Sequence, residues 1–124
     1  MKKILQQLHR YCDHHTSDPH NLLYQLDRET HLKTLAPQML SGHLQGRFLS
    51  LLSQLLQPKY ILEIGTFTGY AAICLAEGLA PNGQLHTIEV NPELQYLIRK
   101  YLKKGGLENK ITAHIGDAHD VLPT

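Results

Sequence analysis

Apolar residues change their spacing near residue 59. Before it they recur at helical intervals. Ile4, Leu5 and Leu8 share one face of a helix expected from Met1 to about Tyr11. Asp18-Pro19 reads as the start of a second helix, with Asp18 as N-cap and Pro19 in the first position, running through Leu22, Leu23 and Leu26 to about Lys33. Pro37 marks a break, and residues 35–43 read as a loop. Leu44, Phe48, Leu51, Leu52 and Leu55 form the apolar stripe of a third helix, which Pro58 ends. Beyond it the run Tyr60-Ile61-Leu62-Glu63-Ile64, closed by Gly65, suits a buried parallel strand. Residues 70–79 return to helical spacing, Pro81-Asn82-Gly83 is a turn, and Gln84 to Val90 reads as a second strand. Asn91-Pro92 opens a helix with the stripe Leu94, Leu97, Ile98, Tyr101 and Leu102, which Gly105-Gly106 stops. Ile111 to Ile115 reads as a third strand, followed by Gly116-Asp117.

Strands alternating with helices predict an α/β fold with a parallel sheet and right-handed crossovers. The chain divides into a helical segment over 1–58 and the strand-bearing region over 59–124. With 124 residues and 42% hydrophobic residues, the chain can bury a modest core. Lys plus Arg number 12 against 11 Asp plus Glu, which supplies no drive toward nucleic acid or an anionic membrane. Cys12 and Cys74 form no paired motif and read as reduced thiols of a cytoplasmic protein. The N-terminus lacks the apolar core of a signal peptide, and no run approaches the length of a membrane span.

The candidate chemistry lies in Glu63-Ile64-Gly65-Thr66-Phe67-Thr68-Gly69-Tyr70, at the carboxyl end of the first strand, where open α/β sheets bind ligands. The dinucleotide pattern GxGxxG fails at Phe67 and Tyr70, and the P-loop pattern fails at Tyr70 and Ala71. What remains is an acid two residues before a glycine. A carboxylate there repels a pyrophosphate and suits a ligand carrying an ammonium group. S-adenosylmethionine has that group, and its single carboxylate can use backbone N–H groups at the start of the next helix. Glu89, ending the second strand, is placed to accept hydrogen bonds from ribose hydroxyls. Asp117 and Ala118, after the third strand, face the same crevice, with Asp117 able to accept from an adenine amino group. Each feature alone has a bland reading as a turn glycine or a solvated strand end; the expectation rests on three strand ends in register.

These residues, with Pro37-Gln38-Met39-Leu40-Ser41 and Gln45-Gly46-Arg47-Phe48, make the chain resemble the cation-dependent O-methyltransferase family that includes catechol and caffeoyl-CoA O-methyltransferases, especially small bacterial members. The resemblance runs from about Arg28 to the end. It implies a Rossmann-like class I methyltransferase fold, of which this chain holds the N-terminal helices and the first three strands. It implies that Ser41 touches the methionine end of S-adenosylmethionine, and that Glu63, Gly65, Thr66, Phe67 and Gly69 form the loop along its methionine and ribose side. Glu89 would hold the ribose, Val90 would pack near the adenine, and Asp117 and Ala118 would border it. Ala71 departs from the family, whose members often carry serine there near the cofactor carboxylate. The family reaction moves a methyl group to a hydroxyl oxygen of a small acceptor, with a divalent cation, Mg²⁺ in the expected case. Its cation ligands follow the fourth and fifth strands, so no metal ligand or catalytic base is assigned within this chain, and the catalytic half is expected beyond Thr124. A homodimer through the N-terminal helices is also implied.

The nine histidines invite a metal hypothesis, but Cys12, His14, His15 and His20 match no zinc spacing. His43 reads either as a loop residue or as a group facing an acceptor. Arg99, Lys100, Lys103 and Lys104 read as a solvated helix end rather than an RNA patch. The expected function is therefore O-methylation of a small, catechol-like acceptor. Two alternatives stand beside it: a non-catalytic cofactor-binding or assembly module, and a methyltransferase of the same fold acting on RNA.

Overall fold

A computed structural model describes residues 1–123; Thr124 lies outside the described residues. Helices α1 (Lys2–His14), α2 (Asn21–Lys33) and α3 (Gly42–Leu56) precede strand β1 (Tyr60–Ile64). Helix α4 (Tyr70–Ala76) leads to β2 (Gln84–Glu89), α5 (Gln95–Lys104) to β3 (Ile111–Ile115), and the short α6 (Ala118–Val121) follows. The strands form one parallel sheet in the order β1-β2-β3. All three carboxyl ends therefore lie along one side of the sheet, which is the arrangement the candidate site requires. Short 3₁₀ turns over Pro37–Met39 and Pro92–Leu94 introduce α3 and α5. Asn91 caps the latter turn, accepting the N–H of Glu93 at 3.0 Å.

The core lies between one face of the sheet and helices α2, α4 and α5. Leu23, Leu26, Ala72, Cys74, Leu85 and Leu97 are fully buried there. The expected stripe of α5 is the buried one, with Leu97, Ile98, Tyr101 and Leu102 all inside. Its basic end is partly engaged, since Lys100 pairs with the carboxylate of Glu29 on α2 and Lys104 bonds Gln25.

Three sequence expectations need correction. Helix α2 begins at Asn21, with His20 at the cap position, so Asp18-Pro19 sits in the preceding connection and does not cap it. Among the described residues strand β1 pairs with β2 alone, and its Tyr60, Leu62 and Ile64 are exposed rather than buried. The third concerns α3. Its stripe of Leu44, Phe48, Leu51, Leu52 and Leu55 points outward, with Phe48 56% and Leu55 73% exposed. The buried face is the small one, Gly46, Ser50 and Ser53.

The reason is the closeness of α3 to α4. A Cβ on Gly46 would lie 2.6 Å from Tyr70 Cε1 and 2.9 Å from Cys74 Sγ. A Cβ on Gly78 would lie 2.1 Å from the backbone carbon of Ser53. Only small side chains allow this approach. Polar ties then hold it: Ser53 Oγ donates to the Leu75 carbonyl at 2.5 Å, and Ser50 and Arg47 both reach Oε2 of Glu77. Gly78→Ala is expected to cost about 3 kcal/mol, because the obstructing atoms are backbone and cannot rotate away. Thermal denaturation should show a fall in Tm of ten degrees or so; an unchanged Tm would contradict the close approach.

Candidate functional site

The loop from Gly65 to Gly69 is built from positive-φ residues. Gly65 (φ 93°), Phe67 (φ 53°) and Gly69 (φ 100°) alternate with Thr66 and Thr68. Beside Gly65 a Cβ would meet no atom within 4 Å, so the backbone there is open to close approach by a ligand. Gly65 continues the ladder by donating its N–H to the Ile88 carbonyl at 2.8 Å.

A separate side chain anchors each of the next three residues. Thr66 Oγ1 lies 2.5 Å from Thr87 Oγ1 in β2. The Phe67 N–H donates to Oε1 of Glu89 at 2.7 Å. Thr68 Oγ1, fully buried, is hydrogen-bonded to Thr30 Oγ1 of α2 at 3.0 Å. A left-handed Phe67 is an unfavourable backbone state for a residue with a Cβ, and the bond to Glu89 holds it.

Ser41, Glu63, Gly65, Thr66 and Phe67 line one cavity of about 210 Å³ between the loop and the start of α3. The structure thus brings these five expected residues together. Gly69 sits behind the cavity as the N-cap of α4, whose first residues, Tyr70 and Ala71, also line it. Glu89, Val90, Asp117 and Ala118 do not line that cavity. They stand at the adjacent strand ends, joined by the bond from Gly116 N–H to the Glu89 carbonyl at 2.8 Å. Val90 is exposed, and Asp117 caps α6 by accepting the His119 N–H at 2.8 Å. Small-molecule sites commonly enclose ~300–1,000 Å³. This cavity is smaller than that range.

The two acids differ in setting. Glu89 is nearly buried and uses both oxygens, accepting from Phe67 and from the Asn91 N–H at 2.9 Å. Each carboxylate oxygen retains a lone pair for a further donor. Glu63 is half-buried and accepts from Thr87 Oγ1 at 2.7 Å. Burial raises its pKa above the ordinary glutamate value, the Thr87 bond opposes that rise, and the Glu89 charge adds to it. Burial also pushes the Tyr70 phenol upward and the Cys74 thiol up to about 12, so Cys74 is an inert core thiol.

Thr30, Thr68 and Thr87 were not among the expected site residues. Strand alternation carries a signal for Thr87: Leu85, Thr87 and Glu89 share the core-facing side of β2, and a hydroxyl there needs a partner. His43 makes a hydrogen bond to the Ser17 carbonyl at 2.5 Å and lies with His9 and Asp13 in a separate groove between α1 and α3. His86 and His114 bond each other across β2 and β3 at 3.0 Å.

A family model described as O-methyltransferase matches residues 13–124. The chain belongs to that family. It is 43% identical over 79 residues to a catechol O-methyltransferase of Niastella koreensis, covering 64% of this chain and 36% of the relative. To the catechol O-methyltransferase of Mycobacterium tuberculosis it is 36% identical over 88 residues, covering 71% of this chain and 40% of the relative. Among solved structures, the SAM complex of the O-methyltransferase TomG from Streptomyces achromogenes superposes with a TM-score of 0.84 at 32% identity, over 94% of this chain and 52% of the other. An SAH-bound methyltransferase of Podospora anserina gives 0.89 at 25% identity, over 97% and 52%. The chain thus spans less than half the length of these curated relatives and about half of these structures. The fold is the Rossmann-like class I methyltransferase fold, in its first three strands. Among the described residues no three His, Cys, Asp or Glu side chains come together as a possible metal-ligating group. No described helix is long and apolar enough to cross a membrane.

Proposed function

We infer that this chain forms the cofactor-holding half of an S-adenosylmethionine-dependent O-methyltransferase acting on a small, catechol-like hydroxylated acceptor. The observation that carries the reading is the pair of carboxylates, Glu63 and Glu89, at neighbouring strand ends with the positive-φ loop clamped between them. Glu63 meets the cofactor ammonium inside the cavity that Ser41, Gly65, Thr66 and Phe67 enclose. The spare lone pairs of Glu89 accept from the ribose hydroxyls, and Val90, Asp117 and Ala118 border the adenine. The methionine carboxylate takes backbone N–H groups beside Ala71. The bound cofactor supplies an electrophilic methyl group. The acceptor class is supported by the catechol O-methyltransferases among its relatives.

Exposed apolar faces on α1 (Ile4, Leu5, Leu8) and α3 (Phe48, Leu51, Leu55) support a homodimer through the N-terminal helices. The balanced charge favours no nucleic-acid partner, and the free thiols fit a cytoplasmic setting. Calorimetry with S-adenosylhomocysteine tests the cofactor reading. One-to-one binding is expected, with no comparable heat from NAD or ATP; no binding to the chain would remove the reading. Sedimentation of the same sample checks the dimer.

A further inference from the structure

Glu63 and Thr87 are direct lateral partners in the β1–β2 register, and their side chains project from the same face of the sheet. Thr87 is fully buried, and its lateral neighbour on β3, Ala113, has no polar side chain. A valine would fill this strand position with the same shape and without a hydroxyl to satisfy. The hydroxyl instead donates to Glu63 Oε1 at 2.7 Å and lies 2.5 Å from Thr66 Oγ1.

The proton count orders this chain of bonds. A threonine hydroxyl has one proton. With Glu63 ionised, Thr87 spends it on the carboxylate, so Thr66 must donate to Thr87. Both bonds then point toward Glu63; the Thr66–Thr87 bond is buried and the Thr87–Glu63 bond is partly so, and bonds in such a chain reinforce each other. A protonated Glu63 can reverse the order.

Resting on the cofactor reading above, we propose that Thr87, backed by Thr66, is a positioning residue that fixes the Glu63 carboxylate to receive the ammonium group of an amino-acid-bearing ligand. Thr87 does not itself line the cavity; it acts through Glu63. The other ionisable groups around Glu63 are Glu89 from β2 and Cys74 and Tyr70 from α4, while α3 turns Gln45 and Leu49 toward the cavity. None of these supplies a positive charge, so Thr87 is the contact that favours the ionised form of Glu63.

The test compares wild type, Thr87→Val, Thr87→Ser and Thr66→Val in the full chain. Carboxyl ¹³C NMR follows Glu63 titration without ligand. Calorimetry at several pH values measures S-adenosylhomocysteine and 5′-methylthioadenosine, which lacks the amino-acid end. Thr87→Val should move the Glu63 midpoint upward by roughly one pH unit. At pH 7 it should weaken S-adenosylhomocysteine about 5- to 10-fold and leave methylthioadenosine within about twofold. Thr87→Ser should behave as wild type, and Thr66→Val should shift both readouts in the same direction by less. If Thr87→Val does not fold, the Thr66→Val result decides. An unmoved midpoint, or equal weakening of both ligands, overturns the proposal. A wild-type chain that binds neither ligand overturns the cofactor reading, and the proposal with it, even where the NMR midpoint shifts.

Discussion

Glu89→Ala is expected to lose on two counts, with cofactor binding weakened by about 1–3 kcal/mol and the fold by a similar about 1–3 kcal/mol. On the proposed reading, the binding loss follows from removing a charged acceptor for the ribose hydroxyls. The stability loss is visible only in three dimensions. Glu89 satisfies the backbone N–H groups of Phe67 and Asn91 at 2.7 and 2.9 Å. Asn91 is exposed and water can replace its acceptor, so most of the cost falls at half-buried Phe67. That residue sits at φ 53°, a state its own side chain disfavours. Glu89→Gln keeps one carbonyl oxygen for Phe67 and should recover much of the stability but little of the affinity. Urea denaturation and calorimetry with S-adenosylhomocysteine separate the effects. Wild-type values of both for Glu89→Ala would remove Glu89 from the site and from the loop's support.

Glu63→Gln should separate function from stability in the opposite way. Neutral glutamine can still accept the Thr87 hydroxyl but cannot pair with an ammonium group, so S-adenosylhomocysteine should bind ~10- to 100-fold more weakly. The fold should become more stable at neutral pH, seen as a rise in Tm. The sign follows from the pKa of Glu63, raised in the folded state above its ordinary value of 4.5. A group so shifted contributes its stability fully below the unfolded pKa and loses it as pH rises through the folded one. The wild-type carboxylate is therefore a liability above that window. Glutamine removes the liability, and its advantage should shrink as pH falls toward the unfolded glutamate value. Melting curves from pH 4 to 8 check this. A destabilised Glu63→Gln at neutral pH would mean that the carboxylate is better supported by its neighbours than Thr87 alone accounts for.

Much of the site is written in local sequence. Glycines 65 and 69 stand where the backbone needs positive φ, and acids at 63 and 89 stand at strand ends that a parallel sheet must align. A βαβαβ order with right-handed crossovers admits few other placements, so reading the strands in order was enough to bring Glu63, Glu89 and Asp117 to one side of the sheet. Asp117 was legible only as to place. Its side chain is also a helix cap, and capping by a strand-end aspartate looks the same in sequence as ligand binding.

What the chain alone determined, then, is the succession of elements and the position of its strand tips, because dihedral preference and hydrophobic period act over a few neighbouring residues. What only the tertiary structure decided is which surfaces meet. Periodicity marks the leucine stripe of α3 as apolar, yet α4 packs on the opposite face, where Gly46, Ser50 and Ser53 let two backbones come close. The same holds for the three anchors of the loop. Thr30, Thr87 and Glu89 come from a helix, a strand interior and a strand end, and a hydrogen bond between residues 38 positions apart leaves no mark on local pattern.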